Sequence, residues 1–276
     1  MRRVRRSLAS RAPCTWTLEG GIVVSVTVHP AAIVEPGAVL GAGCIVHAGA
    51  VVFRHAVLGD GVVVHPYAVV GGDPQDLRFD SSTRSGLRVG ARTVIREHVT
   101  LHRATRADGW TEVGADCFLM VGCHVAHDCR LGDRVIMANH VLLAGHVQIG
   151  DGAFLGGAAV VHQFTRIGEG AMVGGATRLS RDLAPFSMVT ERDEVVGLNV
   201  VGLRRRGLPR TTVAELKRAF RAVNVTVGDM REIAAAELAG GGYTSPEARR
   251  YLEFFAGSRR SYARARRVAP DSAADE

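Results

Sequence analysis

A parallel β-helix is the fold class that this 276-residue chain predicts, and three superposed periods predict it. An aliphatic residue recurs at every sixth position, as at Val28, Val34, Leu40, Val46, Val52, Leu58, Val64 and Val70, and again from Val113 and Leu119 through Val173 and Leu179. Four residues after most of them stands a small side chain, among them Ala32, Cys44, Ala50, Ala68, Cys117, Cys123, Cys129, Ala153 and Ala171. Glycine follows the aliphatic at every third unit, at Gly41, Gly59, Gly114, Gly132, Gly150 and Gly168. A period of six suits neither a helix face nor an alternating strand, but it suits short strands that turn at corners and stack coil on coil. The glycine period makes each coil three hexapeptides, a triangular prism in which every inward aliphatic contributes roughly 1.5–3 kcal/mol by burial.

Residues 1–24 are expected to form a disordered extension. Met1 to Arg11 hold five arginines and no acid, and no apolar stretch of the secretory type follows them. Residues 25–190 carry the prism. The glycine-bearing face is the first; the third carries Val34, Val52, Val70, Leu101, Val125, Leu143, Val161 and Leu179. Two interruptions, at 71–88 and 103–112, both leave from this third face. Long loops in compact domains are usually functional or disordered, so chemistry is expected there.

After Pro185 the hexapeptides stop and helical signals begin. Thr212 with Glu215 and Asp229 with Glu232 read as capping boxes, Ser245 before Pro246 as a helix start, and Val213, Leu216, Phe220 and Val223 as an apolar helical stripe. Residues 191–265 are therefore expected to form a small helical domain against one end of the prism, and residues 266–276 a polar tail.

Composition excludes several classes. No apolar run reaches the ~18 residues of a membrane span, so no integral membrane segment is expected. Of five cysteines, four occupy the small-residue slot and none shows metal-ligand pairing, which points to buried thiols, a reducing cytoplasmic setting and no metal. The net charge is +7, with Arg204, Arg205, Arg206 and Arg210 clustered and Arg249, Arg250, Arg259 and Arg260 further on. Such a surface attracts an acidic partner; no nucleic-acid motif accompanies it.

The third face also gathers the polar residues. His102, His127, His146 and His162 fall on four successive coils, which at about 4.8 Å per coil span roughly 14 Å. Residues eighteen apart stack, which places Gly145 over His127 and His146 over Asp128. Base, carboxylate and glycine N–H make an acyl-transfer set, with Gln75 and Asp76 within reach on the first loop. Two other readings stand beside it. His29, His47 and His65 stack at the same spacing on the second face with no acid or loop expected nearby, so such ladders can be structural. Histidines on adjacent coils can also converge on zinc across a subunit boundary, as in a γ-carbonic anhydrase-like lyase.

The strings VGCHVAHDC (Val121 to Cys129), LLAGHV (Leu142 to Val147), VHQF (Val161 to Phe164), PQDLRF (Pro74 to Phe79), TLHRAT (Thr100 to Thr105) and LNVVGLRRRG (Leu198 to Gly207) resemble the acyl carrier protein-dependent UDP-N-acetylglucosamine O-acyltransferases that begin lipid A synthesis. The resemblance implies a left-handed β-helix, an exception to the usual hand of parallel crossovers, working as a homotrimer with sites between subunits. It implies transfer of a (3-hydroxy)acyl group from the phosphopantetheine thioester of acyl carrier protein to the 3-hydroxyl of the sugar, with no resident cofactor.

By the same resemblance His127 is the general base, Asp128 its orienter and the Gly145 N–H the oxyanion donor. Histidine as a residue type suits the task because its ordinary pKa, about 6.5, leaves it mostly neutral near pH 7. Gln75, Asp76, Arg78, His102, His124, His146, His162 and Gln163 match substrate-lining positions. Asn199, Arg205 and Arg206 match the nucleotide and diphosphate region, and Gly175 and Arg192 the acyl-chain pocket. Three residues depart from the family pattern. Arg78 replaces a usual lysine, keeping charge with a different geometry. Val201 stands where glutamate is usual, which bears on nucleoside recognition and leaves an amino-sugar nucleotide acceptor as an alternative. Arg192 replaces a frequent histidine, which bears on acyl chain length.

Overall fold

The computed structural model describes residues 14–17, 23–257 and 261–265. Three sheets of twelve, seven and eight strands form the three sides of a prism, and the strands are mostly two residues long. Each sheet runs coil to coil in parallel register, as in Val125↔Leu143↔Val161↔Leu179 on the third face. In the two-residue strands of the prism from Val39–Leu40 onward the second residue is buried and the first faces outward, so the six-residue period is the inward ladder. The chain is a left-handed parallel β-helix followed by a small helical part.

Corners close because their inward residues are small. Ala50, Ala68, Cys123, Cys129 and Ala153 have no exposed surface. The cysteine thiols also satisfy backbone: Cys123 donates to the Ala138 carbonyl at 3.1 Å and Cys129 to that of Ala144 at 3.2 Å. Burial pushes the Cys123 thiol up to about 11 and Cys129 to about 12, which keeps both protonated. On the first face a Cβ added to Gly114 would lie 2.4 Å from the Gly132 backbone, so coils there stack closer than any side chain allows.

Several boundaries differ from the sequence reading. Cys14–Thr17 lies in the expected extension but pairs antiparallel with Val23–Val28, consistent with the β-forming run Thr15, Trp16 and Thr17. The rest of residues 1–22 lies outside the described residues, as do Arg259, Arg260 and residues 266–276. The two interruptions are shorter than the period suggests, because their ends pair. Strands Val69–Gly72 and Gly86–Val89 trim the first to residues 73–85, and Trp110–Val113 pairs with Gly86–Val89 to trim the second. The sheet runs past residue 190 through an antiparallel hairpin, Ser187–Thr190 with Glu194–Leu198, and takes up Arg264–Ala265 at its edge.

Helices α1 (Val200–Arg205), α2 (Arg210–Val225), α3 (Met230–Ala239) and α4 (Pro246–Glu253) follow the hairpin. Leu216, Val223, Tyr251, Leu252 and Phe255 pack around the prism's Phe186. Asp229 caps α3 as expected, accepting from the Arg231 amide at 2.7 Å. Thr212 does not cap α2, which begins two residues earlier after Pro209. Its expected partner Glu215 instead accepts from the amides and hydroxyls of Thr244 and Ser245, tying α2 to the start of α4.

Leu119 is fully buried between Ile95 and Met137. Leu119→Ala is expected to cost about 2–5 kcal/mol, read as a lowered denaturant midpoint, because a rigid ladder cannot close over the cavity. A loss under about 1 kcal/mol would mean that the coils relax.

Candidate active site

At the corner leaving the third face, His127 and Asp128 follow the buried strand residue Val125. Asp128 takes a left-handed backbone conformation (φ 57°) that points a short polar residue out of the turn, and Thr111 Oγ1 accepts its amide at 2.8 Å. Its side chain is only 3% exposed. Oδ2 meets His127 Nδ1 at 2.8 Å and accepts from the Thr105 amide at 3.1 Å and hydroxyl at 2.6 Å. Burial raises the Asp128 pKa, but these hydrogen bonds outweigh it and hold the carboxyl well below its usual range. An ionised carboxylate at Nδ1 leaves the proton there and turns Nε2 outward as acceptor.

One coil on, a Cβ added to Gly145 would lie 2.5 Å from His127 Cε1. Gly145 is buried, and among the described residues its N–H has no hydrogen-bond partner. His146 packs edge-on against His127, ring centres 5.1 Å apart, with Nε2 3.9 Å from Asp128 Oδ2. Phe164, eighteen residues further, stacks on His146 at 4.5 Å. On the other side His102 meets His124 edge-on at 4.8 Å, and His124 Nδ1 lies 2.7 Å from Thr100 Oγ1. Burial pushes His102 down to about 4 and also lowers His124 and His146, so these rings stay neutral around a single histidine–carboxylate pair. The buried Nδ1 of His102 has no partner.

The first loop comes in over this corner. Asp76 accepts from the Arg78 amide at 2.9 Å; that bond, with help from the Arg78 guanidinium and the nearby His127, holds it below the usual carboxylate range. Gln75 and Arg78 are exposed, with Arg78 Nε 3.6 Å from Asp76. Arg103 pins the loop from beneath: it is 1% exposed, pairs with Asp73 at 2.7 Å, and donates to the carbonyls of Thr83 and Ser81.

The other expected residues lie further off. His162 and Gln163 are exposed, two coils beyond His127. Asn199 caps α1, accepting from the Gly202 amide at 3.0 Å, and donates to the Gly170 carbonyl. Arg206 binds the carbonyls of Asp151 and Gly152, while Arg205 is exposed. Arg192 borders a groove of about 370 Å³ with Val160, His162, Arg178 and Leu179; Gly175 sits on a different corner, beside Gly157. Thr105, Thr111, Arg103 and Phe164 were not foreseen as site residues. Phe164 could have been, from its spacing to His146; the loop threonine and arginine lie where the period is broken. The second-face ladder also differs from expectation, since Glu97 lies 3.3 Å from His65.

His127, Asp128 and His146 place three ligand-type atoms within 4.8 Å of one another. The shared carboxylate oxygen already meets three donors, which suits an orienting role better than metal ligation.

Comparison with known proteins places these features. The family model described as "Udp N-acetylglucosamine O-acyltransferase; Domain 2" matches residues 182–263, and that of bacterial transferase hexapeptides matches residues 111–145. A protein of Agrobacterium fabrum named acyl-[acyl-carrier-protein]–UDP-N-acetylglucosamine O-acyltransferase is 39% identical over 87% of this chain and 96% of its own. The structure of UDP-N-acetylglucosamine acyltransferase from Campylobacter jejuni superposes with a TM-score of 0.78 at 35% identity, covering 87% of this chain and all of that one. That of LpxA from Acinetobacter baumannii gives 0.80 at 30% identity, covering 87% and 99%.

With its folded pKa near 4, His102 stays unprotonated where an ordinary histidine of an unfolded chain takes up a proton, between about pH 6.5 and 4. The unfolded state therefore binds more protons in that window, and stability falls on acidification through it. His102→Gln is expected to flatten the fall in urea midpoint between about pH 7 and about pH 4.5. An unchanged slope would assign the acid sensitivity to other groups.

Proposed function

The chain belongs to the acyl-[acyl-carrier-protein]–UDP-N-acetylglucosamine O-acyltransferase family, and from that premise we propose how its own residues carry out the transfer. The enzyme moves a (3-hydroxy)acyl group from acyl carrier protein to the 3-hydroxyl of UDP-N-acetylglucosamine, the first step of lipid A synthesis. The observation that supports this chain's mechanism best is the His127–Asp128 pair with the unpartnered Gly145 N–H one coil away.

His127 Nε2 takes the proton from the sugar 3-hydroxyl as its oxygen attacks the thioester carbonyl carbon. The carbonyl π electrons move to oxygen, and the Gly145 N–H donates to that oxyanion. As the carbonyl re-forms, the C–S bond breaks and the phosphopantetheine sulfur leaves, taking the proton from the His127 imidazolium. Asp128, ionised and held by Thr105, stabilises the imidazolium between the two steps and fixes the tautomer. Neutral His102, His124 and His146 can donate to substrate oxygens without competing for the proton. The donor carries its own thioester, so no resident cofactor or metal takes part.

Self-association as a homotrimer is supported by the contrast between faces. The outward row of the second face is apolar over successive coils, with Ile45, Val63, Val94, Phe118, Ile136 and Phe154 in register. The first face shows Arg88, Glu112, Arg130, Gln148 and Arg166 instead. A continuous apolar stripe on a prism is the kind of surface that association covers. Arg205 and Arg249, exposed on the helical part, suit an acidic carrier protein. No helix among the described residues is long and apolar enough to cross a membrane, and the four described thiols are free, which fits a reducing cytoplasm.

Purified protein given UDP-N-acetylglucosamine and a panel of acyl carrier protein thioesters is expected to yield an ester-linked acyl nucleotide, read by mass. His127→Ala is expected to lower kcat about 10²-fold or more with the melting temperature nearly unchanged. Gly145→Ala is expected to do comparable damage by displacing the imidazole. Full activity in His127→Ala would refute the base assignment. Phe154→Glu is expected to dissociate the trimer in sedimentation; an intact trimer would move the interface off the second face.

A further inference from the structure

The first loop is tied to the rest of the molecule through a single side chain. Its own turns are local: Asp76 accepts from the Arg78 amide, Asp80 accepts from the Ser82 amide, and the Phe79 and Thr83 amides donate to the Asp76 and Asp80 carbonyls. Among the described residues, every hydrogen bond that leaves residues 73–83 for the rest of the chain ends on the Arg103 guanidinium. Nε donates to Asp73 at 2.7 Å, Nη1 to the Thr83 carbonyl at 2.5 Å and Nη2 to the Ser81 carbonyl at 2.7 Å. Its Cζ also lies 4.8 Å from the centre of the Phe79 ring. The Arg103 backbone is held separately: its amide donates to the Gly72 carbonyl at 2.9 Å, and the Ala104 amide to that of Gly86 at 3.2 Å.

We propose that Arg103 is a positioning residue for the acceptor: its guanidinium holds the first loop in the conformation that presents Gln75, Asp76 and Arg78 to the nucleotide sugar. The inference rests on the acyl-transfer reading and adds to it a residue that is 1% exposed and acts only through the loop above it. The loop's amide and carboxylate suit sugar hydroxyls, and its exposed guanidinium suits phosphate. Freed of Arg103, the loop must be ordered by the acceptor itself, and apparent affinity falls by the fraction of time that the loop is in place. The base is spared, because Thr105 follows a backbone that the Arg103 side chain does not hold. A planar fork reaches one carboxylate and two carbonyls on three different residues; a single ammonium nitrogen cannot span them.

The test measures KM for UDP-N-acetylglucosamine and for the acyl carrier protein thioester separately, and kcat against pH, in the wild type, Arg103→Met, Arg103→Lys and Asp73→Ala. Arg103→Met is expected to raise the acceptor KM on the order of tenfold or more, with the donor KM and the acid limb of kcat in place. Arg103→Lys is expected to follow Arg103→Met. Asp73→Ala, which removes one of the three acceptors, is expected to fall between them and the wild type, and it carries the test if the buried substitutions lower the melting temperature. Trypsin gives a reading independent of activity, since Arg78 and Arg84 are both exposed on the loop. Cleavage after them, followed by fragment mass, is expected to quicken on the order of tenfold in Arg103→Met and to slow again with UDP-N-acetylglucosamine. An unchanged acceptor KM, a rise shared equally by the donor, or full rescue by lysine overturns the inference and leaves the acyltransferase reading standing. No transfer from any donor by the folded wild type overturns both.

Discussion

Everything in this molecule hangs on the closeness with which one coil lies on the next. The inward aliphatics, the small corner residues and the first-face glycines are all answers to that spacing. Gly114 and Gly132 show the constraint at its tightest, where backbone meets backbone with no room for a methyl group. Because each coil contacts only its neighbours, the ladder is a sum of repeated local terms. Polar residues that would be scattered in another fold are thereby held in lines.

The active corner uses that regularity and departs from it in one place. His127, Gly145, His146 and Phe164 take their relative positions from the coil repeat alone. Asp128 needs more, because a buried carboxylate must be met by donors. Those donors come from the interruption: Thr105 supplies an amide and a hydroxyl, and Thr111, where the strand resumes, receives the Asp128 amide. The loop is thus part of the base rather than an ornament near it. Arg103 joins the two insertions, since its guanidinium lies under the first loop while its backbone begins the second.

How much of this was legible follows from where the period holds. The prism, its three faces and the stacking of Gly145 on His127 could be read from spacing, because eighteen residues is a distance in this fold. Phe164 was equally legible, since it lies eighteen residues beyond His146. Thr105 and Arg103 were not legible as partners, since the chain leaves the repeat at their positions and no arithmetic relates them to Asp128 or Asp73. Glu97 escaped for the same reason: the first insertion shifts it out of step with His65. The Glu215 cluster shows a different limit. Its capping signal was genuine as chemistry, but the hydroxyls and amides it satisfies belong to the start of α4 rather than to its own helix.

A stack of parallel strands has no intrinsic reason to stop, and its open ends present unpaired amides and carbonyls to any similar edge. Here the longest sheet is turned antiparallel at both ends, by Cys14–Thr17 against Val23–Val28 and by Ser187–Thr190 against Glu194–Leu198. A reversed strand cannot template another coil in register, and the helices cover the second end further. Along this longest sheet the ladder of parallel coils is thereby closed off, and an edge that could otherwise seed a fibre is turned aside.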